Sequence, residues 1–440
     1  MEQYAQYKPS GVDWIGEIPE SWSVGRVKHV LKERDERVDD ASSDELLSVS
    51  EYYGVDYRKN RIRETQVLSR AESLSGYKKC EKNDIVMNIM LAWKGSQART
   101  PFSGVVSPAY AVFKPENDVN TRYLSYLFRT DLYREIFRQN STGIIDSRLR
   151  LYPEVFLHLP FHYPPVNEQV LIADYLDEKT KKIDAAIADV EASIAKLEEY
   201  RKSVISEAVT KGLDPTIPMK DSGSDWIGLI PEDWRCGPLG HFVNFLSGFP
   251  FKGEDLTAQG EVRVLRGINL GVNNIRWNES AYVAPEVVRS LDEWRLNKGD
   301  LLLGLDRPWI KAGTRVSFVS EDDAGSYLVQ RIAKITKKQD VSLKFVCYLL
   351  QTDLFFQSMN TETTGVSVPH ISTRQVGLVY FPIPPLCVQD RIVKYLDEVC
   401  GNLAELVSRK NKLLMLLQSY RQSLINECVT GKVKVPGVEG

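Results

Sequence analysis

Residues 58–99 contain ten lysines and arginines (Arg58, Lys59, Arg61, Arg63, Arg70, Lys78, Lys79, Lys82, Lys94 and Arg99) against four acids, in a chain whose formal net charge is only −3. A basic stretch on a mildly acidic protein suits one face that binds a polyanion. The same residues would also serve as a solvated charged surface. Catalytic chemistry is not evident. No GxxxxGK[S/T] segment exists to cradle nucleotide phosphates, which argues against a nucleotide-driven motor. No Asn-Pro-Pro-aromatic run is present to hold an extrahelical adenine, and no Gly-rich loop follows a strand as a methyl-donor site would need. His158 and His162 have metal-like spacing in HLPFH, but Pro160 breaks helical geometry between them and no Cys or carboxylate cluster completes a ligand set. Neither catalytic nor metal-binding residues are therefore assigned.

The elements that must position the basic residues fall into a repeat. At 440 residues the chain exceeds one ordinary core and points to two or three domains. With 43% hydrophobic, 26% charged and 10% aromatic residues it reads as folded and soluble. No apolar run approaches the roughly 18–20 residues that span a bilayer, and MEQYAQYKPS lacks the features of a signal peptide. Six scattered cysteines without a CxxC pair fit reduced thiols, so a cytoplasmic location is expected. GVDWIGEIPESW at Gly11–Trp22 returns as GSDWIGLIPEDW at Gly223–Trp234, 212 positions on. YLDE (Tyr175–Glu178, Tyr395–Glu398) and YRKSVISEAVT/YRQSLINECVT (Tyr200–Thr210, Tyr420–Thr430) are both shifted by 220. The intervening globular segment is thus eight residues longer in the second half, while the helical part keeps its length.

Weaker matches run through the globular segments: Thr121–Phe137 with Leu343–Met359, and Thr142-Gly143 with Thr364-Gly365. NDIVMNIMLAW, SPAYAVFKP, KGDLLLGL and YLVQRIAKI read as strands, with one short helix near 121–139 and its twin near 343–359. A double proline then ends each globular segment and sets up a helix start. From about 168 the period changes to seven. Ile183, Val190, Leu197 and Val204 recur at heptad spacing, with Ile187 and Ile194 in the alternating position. In the second half Leu403, Leu417 and Leu424 hold one position and Val407 and Leu414 the other. Lys410 interrupts that seam, and Arg201 and Arg421 fall on it at matching places, where they would pair across helices or snorkel. Two helices of equal length and shared register are expected to pack on each other, each about 65 Å long. If they run antiparallel, the end of the chain returns to its beginning, and one polypeptide imitates a symmetric dimer.

The paired DWIG-x-IPE-x-W segments, the Thr-Gly of each globule, the PP-x-x-x-Q helix entries and the matched YLDE helices, in the same order twice, resemble the specificity subunits of type I restriction-modification systems over essentially the whole chain. One departure is Val388 where the first half has Glu168, a difference that bears on capping at the helix entry. The resemblance implies an α+β fold: two mixed, mainly β target recognition domains separated by two long antiparallel helices forming a coiled coil. The expected division is 1–165 and 213–385 for the recognition domains, 166–212 and 386–432 for the spacer helices, and 433–440 for the tail. It also implies a non-catalytic chain that reads a bipartite, asymmetric site in double-stranded DNA. Partners would be two methylation subunits and motor/nuclease restriction subunits, with S-adenosylmethionine, ATP and Mg on those partners, no cofactor on this chain and no membrane. Physics agrees, because identical subunits read identical half-sites whereas two diverged globules need not. Half-sites about one turn, roughly 34 Å, apart or more are within reach of such a rod. The residues alone leave two alternatives open, a stand-alone site-specific nuclease or methyltransferase and a coiled-coil interaction scaffold.

Base reading requires Arg or Lys for guanine and Asn or Gln for adenine. In the first globule the candidates are Arg58, Lys59, Arg61 and Arg63, then Lys94, Gln97 and Arg99 in WKGSQAR, then Arg148 and Arg150 after Thr142-Gly143. In the second they are Arg266, Asn269, Asn273, Asn274 and Arg276, then Arg307 and Lys311 flanking Trp309. His370, Ser372, Thr373 and Arg374 follow Thr364-Gly365. Base and phosphate contacts are not separable at this level.

Overall fold

The computed structural model describes residues 2–39, 45–61, 74–224, 227–339, 341–360 and 370–438. The chain divides into two compact units, one of Met1–Glu191 with Lys412–Gly440 and one of Ala192–Asn411.

Unit 1 is built on a four-stranded antiparallel sheet in the order Leu31–Glu33, Tyr110–Pro115, Ile85–Asn88, Gln97–Arg99. Alternate side chains of a strand point to opposite faces, and here both faces are covered. Ile85, Met87, Ala111 and Phe113 enter a core shared with the helices, while Val86, Ala98 and Val112 enter a smaller one beneath the hairpin Leu47–Ser50/Gly54–Tyr57. This two-sided burial explains why NDIVMNIM reads as a continuous apolar run. The single helix expected near 121–139 is two, α1 (Thr121–Leu127) and α2 (Asp131–Gln139). Asn120 caps α1 by accepting from Arg122 N and Tyr123 N, and the Thr130 hydroxyl closes its end by donating to Leu127 O at 2.8 Å. A short α3 (Pro153–His158), with proline in its first turn, leads through the strand Pro160–Tyr163 into α4 (Val166–Lys211), 46 residues long.

Unit 2 repeats the plan. Its sheet runs Val243–Ser247, Ile332–Lys337, Leu301–Gly304, Val316–Phe318, again antiparallel throughout. The helix pair α5 (Leu343–Leu349) and α6 (Asp353–Asn360) breaks where α1 and α2 do, with the Thr352 hydroxyl donating to Leu349 O at 2.6 Å. Next come α7 (Thr373–Leu378) and α8 (Leu386–Val429), 44 residues long.

Both long helices start from the same clamp. Gln169 donates to Pro164 O and accepts from Asn120 N, both at 2.9 Å. Gln389 does the same with Pro384 O at 2.9 Å and Ser342 N at 2.8 Å. The double proline and the glutamine fix the entry, so Val388 in place of Glu168 leaves it intact.

Within each unit the two long helices pack together in opposite chain senses. In unit 1, Ile172, Leu176 and Ile183 of α4 share a core with Leu424, Ile425 and Cys428 of α8, with Ile187 and Leu417 packed against it. In unit 2, Val204, Ile205 and Ala208 share a core with Ile392, Leu396 and Cys400. Val204 and Leu403 are buried, and Val190, Ile194, Leu197, Val407 and Leu414 are half-buried. Each fully buried aliphatic side chain contributes about 1.5–3 kcal/mol. The two seam arginines differ in use. Arg421 pairs with Asp184 across the helices of unit 1 at 2.7 Å, whereas Arg201 donates to Gln351 on the globule of unit 2 at 2.8 Å.

The ends of the chain meet in unit 1. Glu2 and Lys434 form an antiparallel bridge, with Lys434 N donating to Glu2 O at 2.8 Å. Glu168 is buried there and accepts from the Tyr4 hydroxyl and, at 2.9 Å, from Trp22 Nε1. Tyr123 donates to Val429 O at 3.1 Å, and the His162 ring stacks on Trp22 with one nitrogen 3.0 Å from Val429 O. Burial pushes His162 down to about 4, so it is neutral at pH 7. At the repeat-equivalent places unit 2 has Phe345, Pro382 and Val388. Glu168 is thus part of a polar latch over the chain ends.

Candidate nucleic-acid interface

The basic candidates of unit 1 occupy two surfaces. Arg58 and Lys59 lie on the turn Arg58–Asn60 that follows the strand Gly54–Tyr57. Lys59 sits over the Tyr57 ring at 5.6 Å. Arg61 bonds Asp56 at 2.6 Å and lies 4.5 Å over the ring of Tyr53, so an ion pair and an aromatic face orient it. Arg63 lies outside the described residues. Tyr53 in turn lines a cleft of about 290 Å³ between the globule and the helix pair, together with Arg99, Arg122, Arg129 and Arg421.

The second surface gathers around WKGSQAR. Lys94 ends the turn Ala92–Lys94, 5.0 Å over the Trp93 ring, which Arg138 also approaches at 5.6 Å. Gly95 has φ +95°, a left-handed backbone that favours glycine, and a Cβ there would also press on the flexible end of Arg134. The Thr-Gly loop has a closed base, since Thr142 and Arg150 exchange backbone hydrogen bonds of 2.9 and 3.0 Å. Arg148 and Arg150 are exposed, and at the tip Ile144 is 99% exposed. Gln97 behaves otherwise. It is 1% exposed and its amide donates to Phe128 O at 2.6 Å, tying the last strand of the sheet to the end of α1.

In unit 2 the loop after the strand Val262–Leu265 carries Arg266, Asn269, Asn273, Asn274 and Arg276. Asn269, 2% exposed, accepts from Arg266 N at 3.0 Å and donates to Arg276 O at 2.9 Å, so it closes the loop from inside. Arg266 donates to Glu279 O at 2.7 Å. Asn273, Asn274 and Arg276 are exposed, and Asn273 reaches Gln351 at 3.1 Å. Arg307 is exposed, and Lys311 stands exposed on the tight hairpin Trp309–Ile310/Gly313–Thr314. His370 pairs with Asp306, which also holds Arg331. Ser372 caps α7 in a reciprocal box with Gln375, followed by half-buried Thr373 and exposed Arg374. Thr364-Gly365 lies outside the described residues.

Candidates distant in sequence meet in unit 2, while the matching place in unit 1 holds one candidate, Arg99. Asn273 and Lys311 line a cleft of about 590 Å³ with Arg201, Lys202, Lys344 and Gln351, the counterpart of the unit 1 cleft that holds Arg99. In both, a tyrosine donates to a helix carboxylate that also binds a cation. Tyr126 and Arg122 meet Asp177 at 2.7 and 2.9 Å, and Tyr348 and Lys344 meet Asp397 at 2.8 and 2.6 Å. Sequence reading used these helices as repeat landmarks and passed over Arg122, Arg129, Lys344 and Gln351. The visible signal was the Arg129/Gln351 difference inside an otherwise matched apolar pattern. Among the described residues no group of three His, Cys, Asp or Glu side chains could hold a metal. His158 and His162 serve different neighbours, His158 bonding Glu154 O at 2.7 Å.

The model of the type I restriction modification DNA specificity domain matches residues 19–194 and again 231–415. The MjaVIII type I restriction enzyme specificity subunit of Methanocaldococcus jannaschii is 26% identical over 431 residues, covering 95% of this chain and 94% of that one. The EcoAI specificity subunit of Escherichia coli is 29% identical over 234 residues, 53% of this chain and 38% of its own. A solved structure from work on complex assembly and conformational transition of the type I R-M system superposes with a TM-score of 0.68 at 15% identity, over 94% of this chain and 99% of the other. With its two matched segments, twin β-rich globules and paired long helices, the chain belongs to the type I restriction-modification DNA specificity family.

Proposed function

We propose that each globule reads one half of a bipartite, asymmetric site in double-stranded DNA, and that α4 and α8 set the gap between the half-sites and dock two methylation subunits and the restriction subunits. S-adenosylmethionine, ATP and Mg would act on those partners. The observation that carries this reading is the pairing of one shared sheet-and-helix plan with two different sets of exposed polar side chains. A pseudo-symmetric frame with diverged readers suits a non-palindromic site. In unit 1 the readers would be Arg58, Lys59, Arg61 and Arg63, with Lys94, Arg99, Arg148 and Arg150. In unit 2 they would be Asn273, Asn274, Arg276, Arg307 and Lys311, with His370 and Arg374. Gln97 and Asn269 support these loops from within.

Replacing Arg61 and Arg63 together by alanine is expected to weaken duplex binding, and more so at low salt than at high salt. Cationic side chains at phosphates release counterions, and losing two such contacts lowers the salt slope by about 2. Gel-shift titrations at two salt concentrations read this directly, and equal affinities for variant and wild type would contradict it.

A further inference from the structure

The cleft of unit 1 holds more positive charge than the coiled-coil pairing requires. Two of its four arginines are neutralised, Arg122 by Asp174 and Asp177 and Arg421 by Asp184. The other two form no ion pair among the described residues, although the charges of Asp177 and Glu51 act on Arg99 and Arg129 from farther away. Arg99 bonds Asn83 Oδ1 at 2.9 Å, and Arg129, partly buried, donates to the carbonyl of Glu51. Burial, reinforced by the neighbouring charges of Arg421 and Arg134, pushes Arg129 down to about 10. Burial and Arg122 act on Arg99 in the same direction. Cations held together in a partly dry place are costly without an opposing charge.

Unit 2 offers an internal control. Strand register places Arg99 opposite Ile85 and Phe318 opposite the equivalent Leu301, so Phe318 is the counterpart of Arg99. The matched helices place Gln351 at Arg129, Cys347 at Ser125 and Cys400 at Thr180. The frame Arg122/Lys344, Tyr126/Tyr348 and Asp177/Asp397 is common to both clefts, whereas Arg421 pairs with Asp184 and its counterpart Arg201 donates to Gln351. At these matched positions unit 1 has two guanidinium groups and two hydroxyls, while the unit 2 cleft carries Lys202 and Lys311 elsewhere on its wall. Guanidinium forks match the oxygens of a phosphate, and about 290 Å³ is several times the ~30 Å³ share of a water molecule.

We propose that this cleft is a phosphate-binding site, gripping one phosphate group between Arg99 and Arg129. The group comes either from the DNA backbone or from a free phosphorylated molecule. Only the first source rests on the DNA-reading function.

Thermal melts of the full chain in inorganic phosphate, compared with chloride at equal ionic strength, test the site. In wild type the melting temperature rises with phosphate and saturates. R99Q and R129Q, the latter installing the unit 2 residue, flatten the rise, as a phosphate affinity roughly tenfold or more weaker would. R129K keeps the charge without the fork and falls between. If R129Q does not fold, R99Q on its partly exposed strand carries the test. No phosphate-specific rise in wild type, or an equal rise in R99Q, overturns the proposal. A duplex arm separates the sources. Phosphate that competes with duplex in wild type but not in R99Q identifies the DNA backbone, and unchanged duplex affinity in R99Q identifies a free ligand. Both support the site. Phosphate-dependent melting in a chain that never binds duplex would sink the DNA reading alone.

Discussion

Trp22→Ala is expected to lower the stability of unit 1 by about 3–5 kcal/mol, the range for deleting a buried aromatic ring. Trp22 is 0% exposed, stacks on His162 at 5.7 Å and meets the rings of Tyr4 and Tyr123 edge-on at 6.0 and 6.4 Å. Its removal leaves a cavity, and Glu168 loses the buried one of its two donors, so a desolvation term adds to the cavity term. The clasp over Glu2 and Lys434 lies beside it. A differential scanning melt should show the unit 1 transition falling by on the order of 10 °C. A shift under about 2 °C would mean that the latch does not hold the chain ends.

The second large effect is on reading rather than stability. Gly143 has φ +152°, and a Cβ there would lie 2.6 Å from Arg148 O and 3.0 Å from the Leu149 backbone. Gly143→Val therefore forces open the loop base that Thr142 and Arg150 close, and moves Arg148, Arg150 and the exposed Ile144 together. Most of the loop is in water, so the melt should change little. Each well-placed base contact carries about 1–3 kcal/mol of discrimination, so duplex affinity is expected to fall tenfold or more. Wild-type affinity in the variant would remove the Thr-Gly loop from the interface.

The frame of this protein is legible in its sequence, because repeat spacing and a seven-residue period are local regularities. Ile183, Leu424 and their partners reveal a seam without knowledge of any contact. The proposed readers are less legible. Gln97 and Asn269 have the right chemistry for adenine, but their amides are spent on Phe128 O and the loop backbone, a choice made by tertiary packing. Arg129 lies in a pattern that reads as helix core and reaches the cleft only because α1 ends at Leu127. Glu168 finds Tyr4 across 164 positions, so its difference from Val388 shows up in sequence as a capping anomaly and in structure as a latch.

The central claim is that one chain holds two different readers in a fixed frame. Mapping methylated bases across the genome of cells that express this chain with its methylation subunits tests it most directly. The account predicts a split, non-palindromic sequence whose two halves are separated by a constant gap. A continuous or palindromic site, or a gap that varies from site to site, would contradict it.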